Sequence, residues 1–559
     1  LADHAHGLVA AGKAGDAFAE NRERGDNTMT IRRRSLLAGT AAAPMAGLAA
    51  PALAQAQRPL RFVPQANLTV LDPIITTAAV TQNHGYYVFD SLYAVGPDQV
   101  PKPQMAEGHT VSDDGRTVRI RLREGLRFHD GEPVLARDAA ASLARWAKRD
   151  VFGQIADSRV ESWGTADDRT VEIKLKRPFA LLIDAIAKPT ANVGLVMPER
   201  LAKTDPFTAV TEMVGSGPYR FVQNEFVPGS RVVYQKFDRY VPRQEAPAWQ
   251  TGGKVAHFER IEWNIIPDPA TASAALQNNE VDWWEQPLVD LLPSLARVRG
   301  MTIAPLDQTN YLGIIRFNHL QAPFNNLKLR QAIQMAISQE DYMQANVGSD
   351  RSLWNTNYSL YTRGLPLYDE TGPGAARMMA PRNLDAARAA VRESGYNGER
   401  IVIINPTDFA TIAPLGRVTH DLFRRLGLNS DLVETDWGTV VQRRASKEPV
   451  ERGGWSVFHT WWPGISLITP VANNLLRGNG EAGGWFGWFT SAKNEALLQE
   501  WVDAPDPAAA RRIALAMNVE AMDQVSTVPL GQFQIRTAYR GLTGVLPGTA
   551  PYPWNVRRA

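Results

Sequence analysis

The stretch that most constrains the fold is 110–146, TVSDDGRTVRIRLREGLRFHDGEPVLARDAAASLARW. Asp114-Gly115 supplies residue types that tolerate positive φ, which predicts a tight turn between two strands. Behind it Val118, Ile120 and Leu122 alternate with Arg119, Arg121 and Arg123. That is the period-2 pattern of a strand with one buried face. Gly125 breaks the run, Leu126 and Phe128 resume it, and His129-Asp130-Gly131 forms a second turn before Pro133. From Ala136 small apolar residues and Leu143 recur at helical spacing as far as Trp146. A chain that builds hairpin, turn and helix in one continuous stretch is a mixed α and β protein. The His-Asp pair beside a glycine has the composition of an ordinary turn and is read as structural.

That order of strand, FHDG turn and helix resembles the signature of the family 5 extracytoplasmic solute-binding proteins, the peptide- and nickel-binding receptors of ABC importers. Other segments are similar to the same family: Leu71-Asp72-Pro73, Met105-Ala106-Glu107, Gly215-Ser216-Gly217-Pro218-Tyr219, Glu280-Val281-Asp282, and Phe317-Asn318 followed by Pro323-Phe324 and Arg330. Asn279 stands where the family has glycine, and asparagine is the commonest substitute at left-handed positions. The resemblance runs from Arg61 to about Tyr539. It implies an α/β, two-lobed periplasmic binding protein (type II, large peptide-binding class). Lobe I would comprise 57–310 and 524–559, with an extra subdomain inserted at about 86–205, and lobe II would comprise 311–523. Hinge strands are expected near 306–310 and 525–530. Local patterns predict helices over 80–92, 328–338 and 415–426, and strands over 401–404 and 430–434, while 384–396 resembles the family's amphipathic helix ending in Gly-Tyr.

The first methionine is Met29, and 1–28 reads as an upstream or disordered extension. Residues 29–56 read as an export signal: Arg33-Arg34-Ser35-Leu36-Leu37 matches the twin-arginine pattern, and small residues around Ala54 and Ala56 suit cleavage. Pro44, Pro51 and several glycines argue against a membrane-spanning helix there. The chain has no cysteine, which excludes disulfides, Cys-ligated metals and a lipid-anchored cysteine. The expected location is therefore the periplasm, as a soluble, exported monomer that is not a lipoprotein. With 60 basic and 58 acidic residues, the charge balance offers nothing to nucleic acid.

None of the nine histidines forms HExxH or another ligand spacing, and no G-x-S-x-G occurs. Neither a metal nor a cofactor is expected, and the chain reads as a binding protein rather than an enzyme. Its aromatic content is high, with 15 Trp, several of them in GGWSVFHTWWPG and GGWFGWF. Flanking glycines suggest that these aromatics sit on bends lining a cleft. The cleft candidates are Thr76, Thr77, Asp408, Phe409, His459, Thr460, Trp461, Trp462 and Gly464. By the resemblance, peptide-binding members carry an aspartate shortly after the tryptophan matching Trp461, and it pairs with the ligand's α-ammonium. Gly464 occupies that place here, and Asp408 is the candidate substitute; Asp436 is expected to cap a helix. The expected function is a receptor that closes on a peptide or peptide-like solute and delivers it to an ABC permease. Alternatives are a nickel chelate or other small organic solute, with only His459 near the wall, and a periplasmic hydrolase.

Overall fold

The structure, a computed structural model, describes residues 58–559. The extension at 1–28, the signal at 29–56 and its cleavage sites lie outside the described residues. No helix of the described residues is long and apolar enough to cross a membrane.

Two large sheets organise these residues. The first has seven strands, in the order Tyr219–Phe221, Arg231–Lys236, Arg260–Asn264, Leu60–Val63, Trp283–Trp284, Arg536–Arg540, Met301–Pro305. Its middle is parallel: Phe62 pairs with Trp263 on one side and with Trp283 on the other. These rings and Tyr234 pack with centroids 5.1 to 5.6 Å apart, the offset contact that aromatic quadrupoles favour. The second sheet has six strands, in the order Trp354–Asn355, Val528–Phe533, Tyr311–Phe317, Val457–Pro463, Ile401–Pro406, Ser430–Thr435. All seven residues of the Tyr311–Phe317 strand are buried, because helices and loops cover both faces.

The 110–146 stretch folds largely as its pattern predicts. Thr117–Leu122 buries Val118, Ile120 and Leu122 and exposes Arg119 and Arg121. Gly115 takes φ +67°, and the Asp114 carboxylate accepts from Arg116 N at 3.0 Å. With Ala106–Val111, Thr170–Leu175 and Val160–Asp167 this strand forms a four-stranded antiparallel sheet, and the helix Ala136–Ala147 follows. The FHDG turn docks on the Gly215–Gly217 loop. Gly215 N–H donates to His129 Nδ1 at 3.3 Å, so Nε2 carries the proton and donates to Gly217 O at 3.0 Å. A Cβ at Gly215 would lie 2.0 Å from Val88 O, so the close approach requires glycine. Asp72 of the L-D-P loop is equally structural, since it holds the buried Arg145 guanidinium at 2.8 Å.

Several expectations need correction. The helix expected over 80–92 spans Ala79–Val88, and Asp90–Ser91 is already a strand. Helix Leu327–Gln334 stops short of 338, and Leu384–Glu393 stops short of 396. The stretch 525–530 does not carry the return to the first sheet: Val528–Phe533 pairs with Tyr311–Phe317, inside the second. The chain therefore crosses at 306–310 and again at 534–535, between Val528–Phe533 and Arg536–Arg540. Asn279 does adopt the left-handed conformation, with φ +61°.

Candidate ligand-binding cavity

Both sheets turn the carboxyl ends of parallel strands toward each other. In the second sheet Ile401–Pro406 is parallel to Ser430–Thr435 and to Val457–Pro463, so all three end on one side. The segments that leave those ends carry Phe409, Trp437 and Ser466, and Trp462 lies at the end of its strand, just before Pro463 closes it. In the first sheet Leu60–Val63 and its parallel neighbours lead into Gln65, Ile266 and Gln286. The carboxyl ends of strands in open α/β sheets are where ligands bind, because loops there diverge and leave a crevice.

A cavity of about 40 Å³ lies at this junction. The second sheet and its loops supply Phe409, Trp437, Thr460, Trp461, Trp462 and Trp485, and the first-sheet side supplies Thr77, Gln82, Thr190 and Thr549. The aromatic walls meet edge to face: Phe409 lies 5.1 Å from Trp437 and 5.9 Å from Trp461, and Trp462 lies 5.2 Å from Trp485. Trp461 pairs with Gly313 across the sheet, and its Nε1–H donates to Thr411 Oγ1 at 3.0 Å. Trp462 Nε1 is buried and has no hydrogen-bond partner among the described residues.

Arg444 also lines this cavity, although it is only 1 % exposed. Among the described residues its guanidinium makes one hydrogen bond, from Nη2 to Thr76 Oγ1 at 3.1 Å, and Nε has no partner. The rings of Phe486, Trp437 and Phe458 lie 4.8, 5.4 and 5.6 Å from its carbon, so cation–π attraction offsets part of the desolvation. Burial pushes its pKa down to about 9.

Two further cavities adjoin. An outer one of about 380 Å³ shares Thr77 and Trp485 with the inner and also carries Thr76, Lys148, Arg149, Lys447 and Glu481. A smaller one of about 70 Å³ shares Phe409 and carries Asp408, Gln65 and Gln286. The two sides are tied together around these spaces. Trp485 Nε1–H donates to Thr77 Oγ1 at 3.2 Å, Thr411 Oγ1–H to Gln286 Oε1 at 3.4 Å, and the Thr190 and Ser466 hydroxyls bond each other. At the margin Arg159 grips Asp503 with two bonds of 2.7 and 3.0 Å.

Of the nine predicted residues, Thr77, Phe409, Thr460, Trp461 and Trp462 line the inner cavity and Thr76 the outer. Asp408 lies in the neighbouring cavity, and its Oδ1 accepts from Trp437 N at 2.7 Å. Burial raises its pKa, since few groups there solvate the charge. His459 is not in the wall: it faces the helix Ala413–Leu426, bonds Thr419 Oγ1 at 2.7 Å and is fully buried. Gly464 lines none of these three cavities; it is pressed against the crossing segment, where a Cβ would lie 2.3 Å from Thr309 O. The first aromatic cluster is not on bends either, because Phe458, Trp461 and Trp462 belong to the Val457–Pro463 strand. Asp436 caps the helix Trp437–Arg443 as expected. Sequence reasoning missed Arg444, Thr190, Ser466 and Thr549, which carry no local pattern.

Two α/β sheets crossed twice by the chain, with a cavity at their facing strand ends, define the class of two-lobed solute-binding folds. Solved structures share it: one of the PBP AgaA of A. tumefaciens in complex with agropinic acid has a TM-score of 0.74 at 20% identity, covering 90% of this chain and 99% of that one. A dipeptide-binding protein of Pseudoalteromonas sp. in complex with Met-Leu also gives 0.74 at 20% identity, covering 90% and 100%. In sequence, a "Probable peptide ABC transporter periplasmic-binding protein", y4tO, of Sinorhizobium fredii is 36% identical over 545 residues, 95% of this chain and 100% of that protein. The family described as bacterial extracellular solute-binding proteins, family 5, matches residues 100–484, and this chain belongs to it.

Proposed function

We infer that the protein is the receptor of an ABC importer, closing its two lobes around a peptide or peptide-like solute and presenting it to a membrane permease. One observation carries the reading: the cavity is lined from both sides of the molecule, so a solute held there is contacted by both lobes and stabilises the closed form. The full-length similarity to a peptide-transport relative supports a peptide-like ligand. Neighbouring hydroxyls and amides offer main-chain-type hydrogen bonding beside aromatic walls, which suits a peptide. With His459 turned toward Thr419, the wall offers no imidazole to a nickel chelate. Export to the periplasm through the signal at 29–56 and action as a monomer complete the proposal.

Native mass spectrometry of freshly exported protein tests it. The expected result is a solute of small mass that leaves on unfolding and returns chemically unchanged when refolded protein meets the released fraction. Turnover of that solute would instead make the protein a hydrolase. Protein that carries no solute and binds no member of a peptide panel would contradict the receptor reading.

A further inference from the structure

Buried arginines in this protein are compensated, with one exception. Arg145 holds Asp72 at 2.8 Å, Arg159 holds Asp503 at 2.7 Å and Arg477 holds Glu495 at 3.0 Å. Arg316 and Arg330 lack a carboxylate, but each donates to two backbone carbonyls at 2.7 to 2.9 Å. Arg444 has one threonine hydroxyl, an orphaned Nε and no carboxylate among the described residues. A desolvated cation left in that state is costly unless something else completes it. It borders the inner cavity, and none of the residues lining that cavity is Asp or Glu. The second orphan in the wall, Trp462 Nε1, is likewise a donor. Both unmet needs among the residues lining the cavity are therefore for an acceptor, and the one at Arg444 is for an acceptor with negative charge. Farther out, Lys148 is paired with Asp157 and Lys447 with Glu481, while Arg149 donates to the Ile74 and Ile75 carbonyls, lies over the Phe207 ring and forms no ion pair among the described residues.

We propose that the solute bears a carboxylate taken by Arg444 beside Trp462, and that the receptor selects an anionic ligand whose amino group is blocked or absent. The inference rests on reading this cavity as the solute site. A carboxylate matches the planar guanidinium with two parallel hydrogen bonds, whereas an α-ammonium there would face a like charge with no counter-ion. Asp408 serves a different space, and one of its oxygens already serves the Trp437 amide.

Calorimetry on the mature protein with one dipeptide in four forms tests this: free, amino-acetylated, carboxyl-amidated and both. The acetylated acid should bind at least as tightly as the free dipeptide, and amidation should weaken binding by about 30-fold or more. Arg444→Met should abolish the preference for acid over amide. It should also leave the melting temperature of the empty protein no lower, which a merely structural arginine would not. Arg444→Lys, which keeps the charge but loses the fork, should retain part of the preference and serves if the first variant does not fold. Equal binding of acid and amide, or an unchanged preference in the Arg444 variants, overturns the anchor while leaving the receptor reading intact. Binding of free-amine forms alone, lost in Asp408→Asn, places an ammonium at Asp408 and overturns the selection of blocked ligands. Failure of all four forms to bind removes the peptide reading and this inference with it.

Discussion

At position 464 a side chain has nowhere to go. Its Cβ would meet Thr309 O at 2.3 Å, and its amide already donates to Asn310 O at 2.8 Å. Gly464→Ala should therefore destabilise the protein by about 1–3 kcal/mol in denaturant unfolding. Gly464→Asp should add no preference for a free amine, since its carboxylate would start from a position outside the cavity. His459 makes a second, pH-dependent prediction. Burial pushes it down to about 3 from the ordinary 6.5. Above 6.5 both states are neutral; below it the unfolded chain takes up a proton that the folded one refuses, so stability falls as pH drops from 6.5 toward 3. By about pH 5 this amounts to roughly 2 kcal/mol, and melts of His459→Gln should show an acid limb flatter by that amount. At this scale Trp461, Trp462 and Phe409 were legible in the sequence because large aromatics are rare and were clustered. Arg444 was not: a buried, unpaired arginine and an exposed one are written with the same letter. His459 misled because Thr460, Trp461 and Trp462, which follow it, line the cavity while it faces the Ala413–Leu426 helix.

Among the elements, the FHDG turn and the Gly215–Gly217 loop act as one staple through His129. Partial burial pushes His129 down to about 4, so it is neutral at ordinary pH and both ring nitrogens keep their assigned partners. His129→Ala leaves one amide and one carbonyl unpaired and should cost about 1–3 kcal/mol of stability. The affinity of the folded fraction should not change, which calorimetry corrected for the active fraction would check; a lost affinity would make the turn part of the site. The hairpin was legible from its alternation, as one of its faces meets solvent. Val457–Pro463 was not, because six of its seven residues are buried and no alternation survives. Sheet membership of Val528–Phe533 was equally hidden, since a fully buried strand reads the same in either sheet.

Across the described residues the two sides meet at direct hydrogen bonds around the cavity. An inner cavity of about 40 Å³ holds only a few waters, so a peptide needs both the outer space and a rearrangement of the walls. Closure is held by bonds that no ligand touches, among them the Arg159–Asp503 pair at the margin. Because Asp503 is 45 % exposed, solvent screens that pair. Asp503→Ala should weaken solute binding only about 2- to 5-fold, through faster release, as stopped-flow dissociation would show. The two-sheet architecture was legible through resemblance, whereas the second crossing needed the strand pairing itself. Small-angle scattering of one preparation, stripped of solute by unfolding and refolding and then given back the released fraction, addresses the central claim directly. The account predicts a larger radius of gyration when stripped and a return to the compact value on adding back, with unchanged far-ultraviolet circular dichroism. An identical radius in both samples, with solute shown to rebind, would contradict closure of two lobes around the ligand.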